Sequence, residues 1–478
     1  MVVWNRRYLE GASGVFAGVV LKQCHVLVVW ETTKSRFLQE AGPAFLFLYT
    51  PDTDKAYYVA TLRTLTEVSP LTDMLNDAFH KNVNGRRFHY YDGRDNSDYQ
   101  YRDQQILFFA DSVNNRFSRE DDFSIRKKHS GWRQLTAPRR RMRELLMSLN
   151  DILTSIYEPT PWAYGFVPKR SVVDNARLHV GKTFVLNIDL HDFFPSITFE
   201  QVRSCLMGEP YGFSEYAAGL VANLCVICRD GHKHLAQGFP TSPILSNMVC
   251  AEMDSRLAEL AERYGVVYSR YADDMTFSSD KDLLHVPDGE FFQRVRAVVE
   301  SHGFTLNEKK TRLQRRGQQR QEVTGLNVTD KVNTTRGYMR EIRSQLYIWE
   351  RYGYAELCRA AYPHYKAKHG KTKGHRRHVH MAHVLRGKID YLGMVRGKDD
   401  AFYRKCASRL DAMLAKDGDE IRRVEAKAYE DARDREEKYL KTHFAEIKKT
   451  NTWNTVIKVV AFVLFYILVK YVVAMLTK

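Results

Sequence analysis

Cysteine is scarce in this chain. Seven cysteines among 478 residues are too few for a disulfide framework, which excludes the small secreted scaffolds and predicts a protein of a reducing compartment. Cys225 and Cys228 are followed by His232 and His234, but the gap before the first histidine is shorter than in common zinc sites. We therefore interpret these cysteines as core residues at the end of an apolar helix.

Acidic residues are also scarce relative to basic ones. The chain has 73 lysines and arginines against 57 aspartates and glutamates, which gives a formal net charge of +16. An excess of this size favours a polyanionic partner, either nucleic acid or anionic lipid, and charge alone does not choose between them. The hydrophobic fraction of 44% is typical of a globular protein and excludes wholesale disorder.

One long hydrophobic run stands at the C-terminal end of the sequence. Residues 456–476 are apolar apart from Lys458 and Lys470. A helix of this length spans about 30 Å, the thickness of a bilayer core. Lys448 and Lys449 precede the run, and their charge predicts that the residues before them stay on the cytoplasmic side. The alternative is an apolar helix that packs within a protein oligomer.

An Asp-Asp pair separates two strand-like runs. Asp273 and Asp274, in Tyr-Ala-Asp-Asp, lie between residues 266–270 and 275–278, so they fall at the tip of a predicted hairpin. Adjacent carboxylates repel each other, and a divalent cation would offset that repulsion. Asp-Asp pairs are also common in ordinary loops, so this motif alone does not identify a site.

A third acid ends a predicted buried strand. The apolar run 184–188 leads directly to Asp189, where a charge needs a partner. A metal ion shared with Asp273 and Asp274 would supply one, and three acids from two strands describe the two-metal site of phosphoryl transfer. Mg²⁺ suits such oxygen ligands. The alternative role for Asp189 is that of a helix N-cap.

Further motifs resemble those of bacterial retron-type reverse transcriptases. Four palm motifs of that family occur in the same order, at residues 187–197 (NIDLHDFFPSI), 236–247 (AQGFPTSPILSN), 271–274 (YADD) and 303–311 (GFTLNEKKT). Two shorter signatures are similar to those of retron enzymes in particular, at residues 175–179 (NARLH) and 323–325 (VTG). The resemblance extends over residues 123–412, and the two ends of the chain depart from it.

The resemblance implies an α+β fold of the right-hand polymerase type, with fingers, a ferredoxin-like palm and a helical thumb. An N-terminal α/β extension and a C-terminal apolar helix are predicted to flank it. The predicted segments are an N-terminal extension of unknown role (1–104), fingers (105–180), palm with part of the fingers (181–330), thumb (331–417), a charged helical linker (418–454) and a transmembrane helix (455–477).

The resemblance also implies catalytic and metal-binding residues. Two Mg²⁺ ions would be bound by Asp189, Leu190, Asp273 and Asp274. The leaving pyrophosphate would take a proton from Lys310, with Lys309 as the alternative.

Four residues are predicted from the resemblance to bind the incoming dNTP: Lys127, Arg133, Phe194 and Gln237. Arg133 would grip the triphosphate, because a planar guanidinium matches phosphate oxygens. Gln237 would contact the deoxyribose. Phe194, five residues after Asp189, would exclude a ribose 2′-hydroxyl; the alternative is a core aromatic, as we interpret Phe193.

The residues of the two retron signatures are predicted to bind RNA. Basic residues are predicted to bind it as well, through phosphate contacts that give affinity without sequence readout. The residues are Asn175, His179, Val323, Thr324, Gly325, Lys366, Lys368, Arg376 and Arg377.

The function implied is an RNA-directed DNA polymerase that copies a structured noncoding RNA into DNA within a bacterial anti-phage system. The implied partners are the RNA template, the DNA product, dNTPs, a membrane contacted by the C-terminal helix, and further copies of the chain. The polymerase is expected at the cytoplasmic face of the inner membrane. Three alternatives stay open: a non-retron defence reverse transcriptase with protein-primed or template-independent synthesis, an RNA-binding membrane effector scaffold, and a mobile-element reverse transcriptase.

Overall fold

The computed structural model describes residues 19–22, 25–28, 51–84, 99–114, 119–126, 131–369, 380–431, 433–434 and 437–438. The chain divides into two compact units, residues 1–60 and 61–478. In the first unit, strands β1 (Val19–Lys22) and β2 (His25–Val28) pair antiparallel. The boundary predicted at residue 104 stays a prediction.

The predicted apolar C-terminal helix lies outside the described residues. Within the part of the chain that is described, no helix has both the length and the apolar character needed to cross a bilayer.

Helices and one hairpin precede the palm. In chain order they are α1 (Pro51–Thr64), α2 (Ser69–Asn84), α3 (Asp103–Asp111), β3 (Glu120–Arg126), β4 (Trp132–Pro138) and α4 (Arg140–Ile156). Helix α4 has apolar residues at a helical period of three to four, and each is at most 1% exposed: Met142, Leu145, Leu149, Ile152 and Ile156. Full burial of such side chains stabilises the fold by roughly 1.5–3 kcal/mol each.

The palm is built on a four-stranded antiparallel sheet. Its elements in chain order are α5 (Val172–Arg177), β5 (Phe184–Asp189), α6 (Phe199–Met207), α7 (Glu215–Cys225), β6 (Val226–Arg229), β7 (His232–Leu235), α8 (Ser242–Val249), α9 (Ala251–Tyr264), β8 (Val267–Tyr271), β9 (Asp274–Ser279), α10 (Glu290–Ser301) and β10 (Arg312–Arg315). The strand order β10-β5-β9-β8 is that of a ferredoxin-like sheet, the type of sheet expected of the palm.

The thumb is helical, as predicted. It follows the short hairpin of β11 (Glu322–Val323) and β12 (Leu326–Asn327) and contains α11 (Arg336–Tyr352), α12 (Tyr354–His369), α13 (Met381–Arg396) and α14 (Ala401–Lys416). Its core includes Trp349, Leu385 and Leu410.

A further helix at residues 418–431 packs on the thumb. Ile421 joins the thumb core, and the indole of Trp349 donates to Asp417 at 2.9 Å. Glu420 accepts from the amide of Ala355, at the first turn of α12, at 3.2 Å. The start of the charged segment 418–454 is therefore attached to the thumb along one face.

Candidate active site

The three predicted acids meet at one end of the palm sheet. Strand register places Asp189, the last residue of β5, opposite Asp274, the first residue of β9. Asp273 occupies the two-residue turn after Tyr271, and its carbonyl accepts from the amide of Leu190 at 3.0 Å. Both the hairpin and the acid-terminated strand of the sequence analysis are present.

The pKa values of two of these carboxyls reflect burial and mutual repulsion. Loss of hydration raises the pKa of Asp274 to about 6, and the charges of Asp273 and Asp189 add to the increase. Burial also raises the pKa of Asp273, again with a contribution from Asp189. Folding has therefore brought together carboxylates that disfavour one another, which a cation between them would relieve.

Lysine 310 lies beside these acids. Its Nζ is 3.0 Å from both carboxylate oxygens of Asp189, and the Asn307 side-chain amide donates to the same carboxylate at 3.1 Å. The amide of Asn307 also donates to the carbonyl of Asp189 at 2.8 Å. The segment 303–311 is thus fixed to the end of β5, and the contact favours Lys310 over Lys309 as the lysine of the site.

The donor set fits a hard divalent cation. In the described ranges, no three side chains of His, Cys, Asp or Glu are placed to hold a metal ion by themselves. Mg²⁺ keeps several waters and is usually bound through one or two carboxylates plus substrate phosphates, so a closed protein cage is not required. Carboxylate oxygens that raise one another's pKa are the ligands such an ion prefers.

The predicted nucleotide-binding residues lie on three elements around the acids. Arg133 is exposed on β4 and near enough to Asp273 for its charge to lower the pKa of that carboxyl, against the larger effect of burial. Phe194 is half-buried, with its ring centroid 6.4 Å from that of Phe166. Gln237 is half-buried, and its carbonyl accepts from an amide of β4. Lys127 lies outside the described residues.

Phe193 and Phe194 have different surroundings. Phe193 is 5% exposed and packs against Phe304 at 5.8 Å between ring centroids, in agreement with the interpretation of Phe193 as a core residue. Phe194 is half-buried and lies beside Phe166, which is 42% exposed. Part of the Phe194 ring is therefore accessible at the position predicted to exclude a ribose 2′-hydroxyl.

A buried ion pair supports the turn that carries the acids. Arg270 and Asp254 are both fully buried and form two hydrogen bonds of 2.7 Å. The remaining guanidinium nitrogen of Arg270 donates to the carbonyl of Ala272 at 3.0 Å and to Asn247 at 3.1 Å. Asn247 in turn donates to the carbonyl of Gly165 at 2.8 Å. Sequence reasoning missed this network; its only signal was an arginine inside an apolar strand.

Comparison with known proteins agrees with the resemblance to reverse transcriptases. Residues 125–335 match the family model described as "Reverse transcriptase (RNA-dependent DNA polymerase)". The chain is 38% identical over 278 residues to the retron Mx65 reverse transcriptase of Myxococcus xanthus, covering 54% of this chain and 58% of that protein. It is 32% identical over 233 residues to the retron Ec86 reverse transcriptase of Escherichia coli, covering 47% of this chain and 68% of that protein. The chain belongs to the retron reverse transcriptase family.

The match to these retron enzymes is partial in length. The retron Mx162 reverse transcriptase of Myxococcus xanthus is 36% identical over 228 residues, covering 43% of this chain and 46% of that protein. The chain thus spans about half the length of the two Myxococcus relatives.

The first retron signature is buried beneath the palm sheet. Asn175 and His179 are 0% exposed. The ring nitrogens of His179 contact the hydroxyls of Ser278 and Ser269 at 2.7 and 2.8 Å, and Ser269 donates to Asn175 at 2.6 Å. Burial lowers the pKa of His179 to about 3, so its ring is neutral. In this structure both side chains bond within the palm and are fully buried; their contact with RNA stays a prediction.

The second retron signature forms the β11–β12 turn. Val323 is fully buried, and Thr324 and Gly325 have φ of 48° and 81°, the backbone of a tight two-residue hairpin. Val323 and Ala176, one from each signature, belong to the same apolar cluster. The structure does not describe the side chains of the four remaining predicted RNA-binding residues: Lys366, Lys368, Arg376 and Arg377.

Proposed function

We propose that the chain is an RNA-directed DNA polymerase that copies a structured noncoding RNA into DNA by two-metal phosphoryl transfer. The observation that carries the proposal is the convergence of Asp189, Asp273 and Asp274 at the end of a ferredoxin-like sheet, in a chain of the retron family. The intact acids distinguish this proposal from a silent RNA-binding scaffold.

The reaction assigns a task to each group. Asp189, Asp273 and Asp274 would hold two Mg²⁺ ions, which activate the attacking hydroxyl and neutralise charge on the triphosphate. Arg133 binds triphosphate oxygens through its planar fork of donors. Lys310, beside Asp189, supplies the proton that the leaving pyrophosphate takes.

The partners follow from the family and from charge. A structured RNA serves as template, DNA is the product, and dNTPs are consumed. The net charge of +16 favours retention of an RNA–DNA duplex. Anti-phage defence is the biological role proposed for this synthesis.

RNA dependence is the direct test. The full chain is purified with its bound RNA, incubated with Mg²⁺ and labelled dNTPs, and compared with a sample pretreated with RNase. DNA synthesis should require the RNA and should stop when EDTA removes Mg²⁺. Synthesis that survives complete RNase treatment would support the template-independent alternative and reject this proposal.

Phe194→Ala is predicted to weaken the choice of deoxyribonucleotides. With the ring removed, a ribose 2′-hydroxyl has room, so relative use of ribonucleotides should rise roughly 10- to 100-fold, the scale of discrimination by shape in a pocket. The measurement is the ratio of kcat/KM for dNTP and rNTP on one primed template.

The matched variant Phe194→Tyr keeps the ring and should keep the selectivity. An unchanged ratio of kcat/KM for dNTP and rNTP in Phe194→Ala would contradict the predicted role and leave Phe194 as a packing residue, like Phe193.

We propose that the apolar run 456–476 anchors the polymerase at the cytoplasmic face of the inner membrane and serves the defensive output, in an assembly of several copies. Its length and the flanking Lys448 and Lys449 support this. A chain truncated after Thr450 is predicted to polymerise normally in vitro, to move to the soluble fraction, and to lose protection against phage.

A full-length control, Leu464→Asp with Leu468→Asp, keeps the segment but makes it too polar for a bilayer. It should behave like the truncation. Full-length protein that is soluble without detergent, with equal protection by the truncated chain, would contradict the membrane proposal.

A further inference from the structure

Thr136 of β4 is one point at which the β3–β4 hairpin, in the predicted fingers, meets the palm. Its amide donates to the carbonyl of Gln237 at 3.0 Å, and its hydroxyl donates to Asp122, on the neighbouring strand β3, at 2.8 Å. Gly238 has φ of 132°, and a Cβ there would come within 2.6 Å of the Thr136 carbonyl oxygen. The hairpin is therefore seated tightly on the segment that carries Gln237.

Arg229 holds the same hairpin from a second direction. It is the last residue of β6, and its guanidinium donates to Asp122 at 2.8 Å and to Glu120 at 3.2 Å. Glu120 also lies 3.8 Å from the buried Arg119. The side chains of Arg229 and Asp122 are 24% and 35% exposed, and hydrogen bonds between ionised groups this sheltered are stronger than those between neutral groups.

The β6–β7 hairpin of the palm provides the Arg229 attachment and leads directly to the Gln237 attachment. Strand β6 ends with Arg229, and β7 ends at Leu235, two residues before Gln237. On the fingers side, Arg133 lies on β4 three residues before Thr136, about 10 Å along the strand. Arg119, directly before β3, holds the base of the hairpin through the carbonyls of Leu224 and Val226 at 2.8 and 3.2 Å. Arg229 extends this attachment along β3 to Glu120 and Asp122, and Asp122 is closer to the end of the hairpin that carries Arg133.

We propose that Arg229 is a positioning residue for nucleotide binding. Acting through Asp122 and Thr136, it fixes the angle of the β3–β4 hairpin and hence the separation of Arg133 from Gln237. Arg229 itself does not touch the nucleotide. The inference rests on the proposed polymerase function, because it assigns Arg133 and Gln237 to the dNTP.

Asp122→Asn is the decisive variant in the full-length chain. Asparagine still accepts from Thr136 but loses the charge that binds Arg229. The KM for dNTP should rise about 10-fold, short of the roughly 100-fold that a 1 Å misplacement can cost, while kcat and affinity for template–primer stay unchanged. Arg229→Gln combined with Asp122→Asn should raise KM no further than Arg229→Gln alone, because both changes break one contact.

The matched control is Asp121→Asn on the same strand. Asp121 binds Arg139 at 3.0 Å on the other face of the hairpin, so its loss should leave KM unchanged. A purely structural role for Arg229 would lower the melting temperature and kcat without a selective effect on KM, and that result would overturn the inference.

A second measurement does not need polymerase activity. Hydrogen exchange at the Thr136 amide should be faster in Asp122→Asn than in wild type or Asp121→Asn, because the hairpin opens more often. Unchanged exchange would overturn the inference even in a chain that proved unable to polymerise, whereas failure of wild-type synthesis alone would count against the proposed function.

Discussion

Replacing Asp273 or Asp274 with asparagine is expected to lower dNTP incorporation by roughly 10³-fold, the scale lost when a group that stabilises transition-state charge is removed. Asp273 lies in the two-residue turn and Asp274 directly follows it, and neither is part of the hydrophobic core. Burial, with a contribution from neighbouring carboxylates, raises the pKa of both carboxyls, so their ionised forms are disfavoured in the folded protein. Neutralising either carboxyl should leave the melting temperature unchanged or raise it slightly, and it should leave the affinity for RNA unchanged. Primer extension and RNA binding are measured on the same preparations.

Asp280→Asn is the matched control for that experiment. Asp280 directly follows β9, at the end of the strand opposite to Asp274, and binds Lys182 at 2.9 Å near the surface. Its variant should extend primers at the wild-type rate. Near-normal extension by Asp273→Asn and Asp274→Asn would remove both residues from the catalytic site.

The second large effect concerns stability. Asp254→Asn is expected to lower the free energy of unfolding by about 3–5 kcal/mol, because it leaves the guanidinium of Arg270 buried without its counter-charge. Arg270 also donates to the carbonyl of Ala272, next to Asp273, so the surviving folded protein should polymerise poorly. Urea unfolding monitored by circular dichroism gives the free energy, and primer extension at low temperature gives the activity.

Glu252→Gln, on the same helix, is the control for the buried pair. Glu252 binds Arg256 in an exposed pair, which contributes only about 0–1 kcal/mol. Equal losses of stability in Asp254→Asn and Glu252→Gln would show that burial of the Arg270 pair is energetically unimportant.

The acids of the site were accessible to sequence reasoning because each is marked by its neighbours. Asp189 ends an apolar run, and Asp273 and Asp274 separate two strand-like runs. The supporting network has no such marker. Asp254 and Asn247 are 16 and 23 residues from Arg270 on two different helices, and their contact exists only once helices and sheet have packed.

The retron signatures show a different limit of sequence reasoning. They identified the family correctly, yet the side chains of Asn175 and His179 are bonded to serines of β8 and the end of β9 with no exposed surface. Burial depends on which face of a short helix meets the sheet, and six residues of α5 are too few to reveal that face by periodicity. Val323 and Ala176 pack in one cluster with Val395 of the thumb helix α13, so both signatures contribute to the junction of palm and thumb.

The helix at residues 418–431 determines which part of the polymerase a force on the following residues would reach first. Through Ile421, and through Trp349 bound to Asp417, it is one body with the thumb, so a restraint on the residues beyond it acts on the thumb before it reaches the acids of the palm. Under the proposed membrane anchor, the polymerase would be held through its thumb, and the RNA template would have to move through a stationary enzyme.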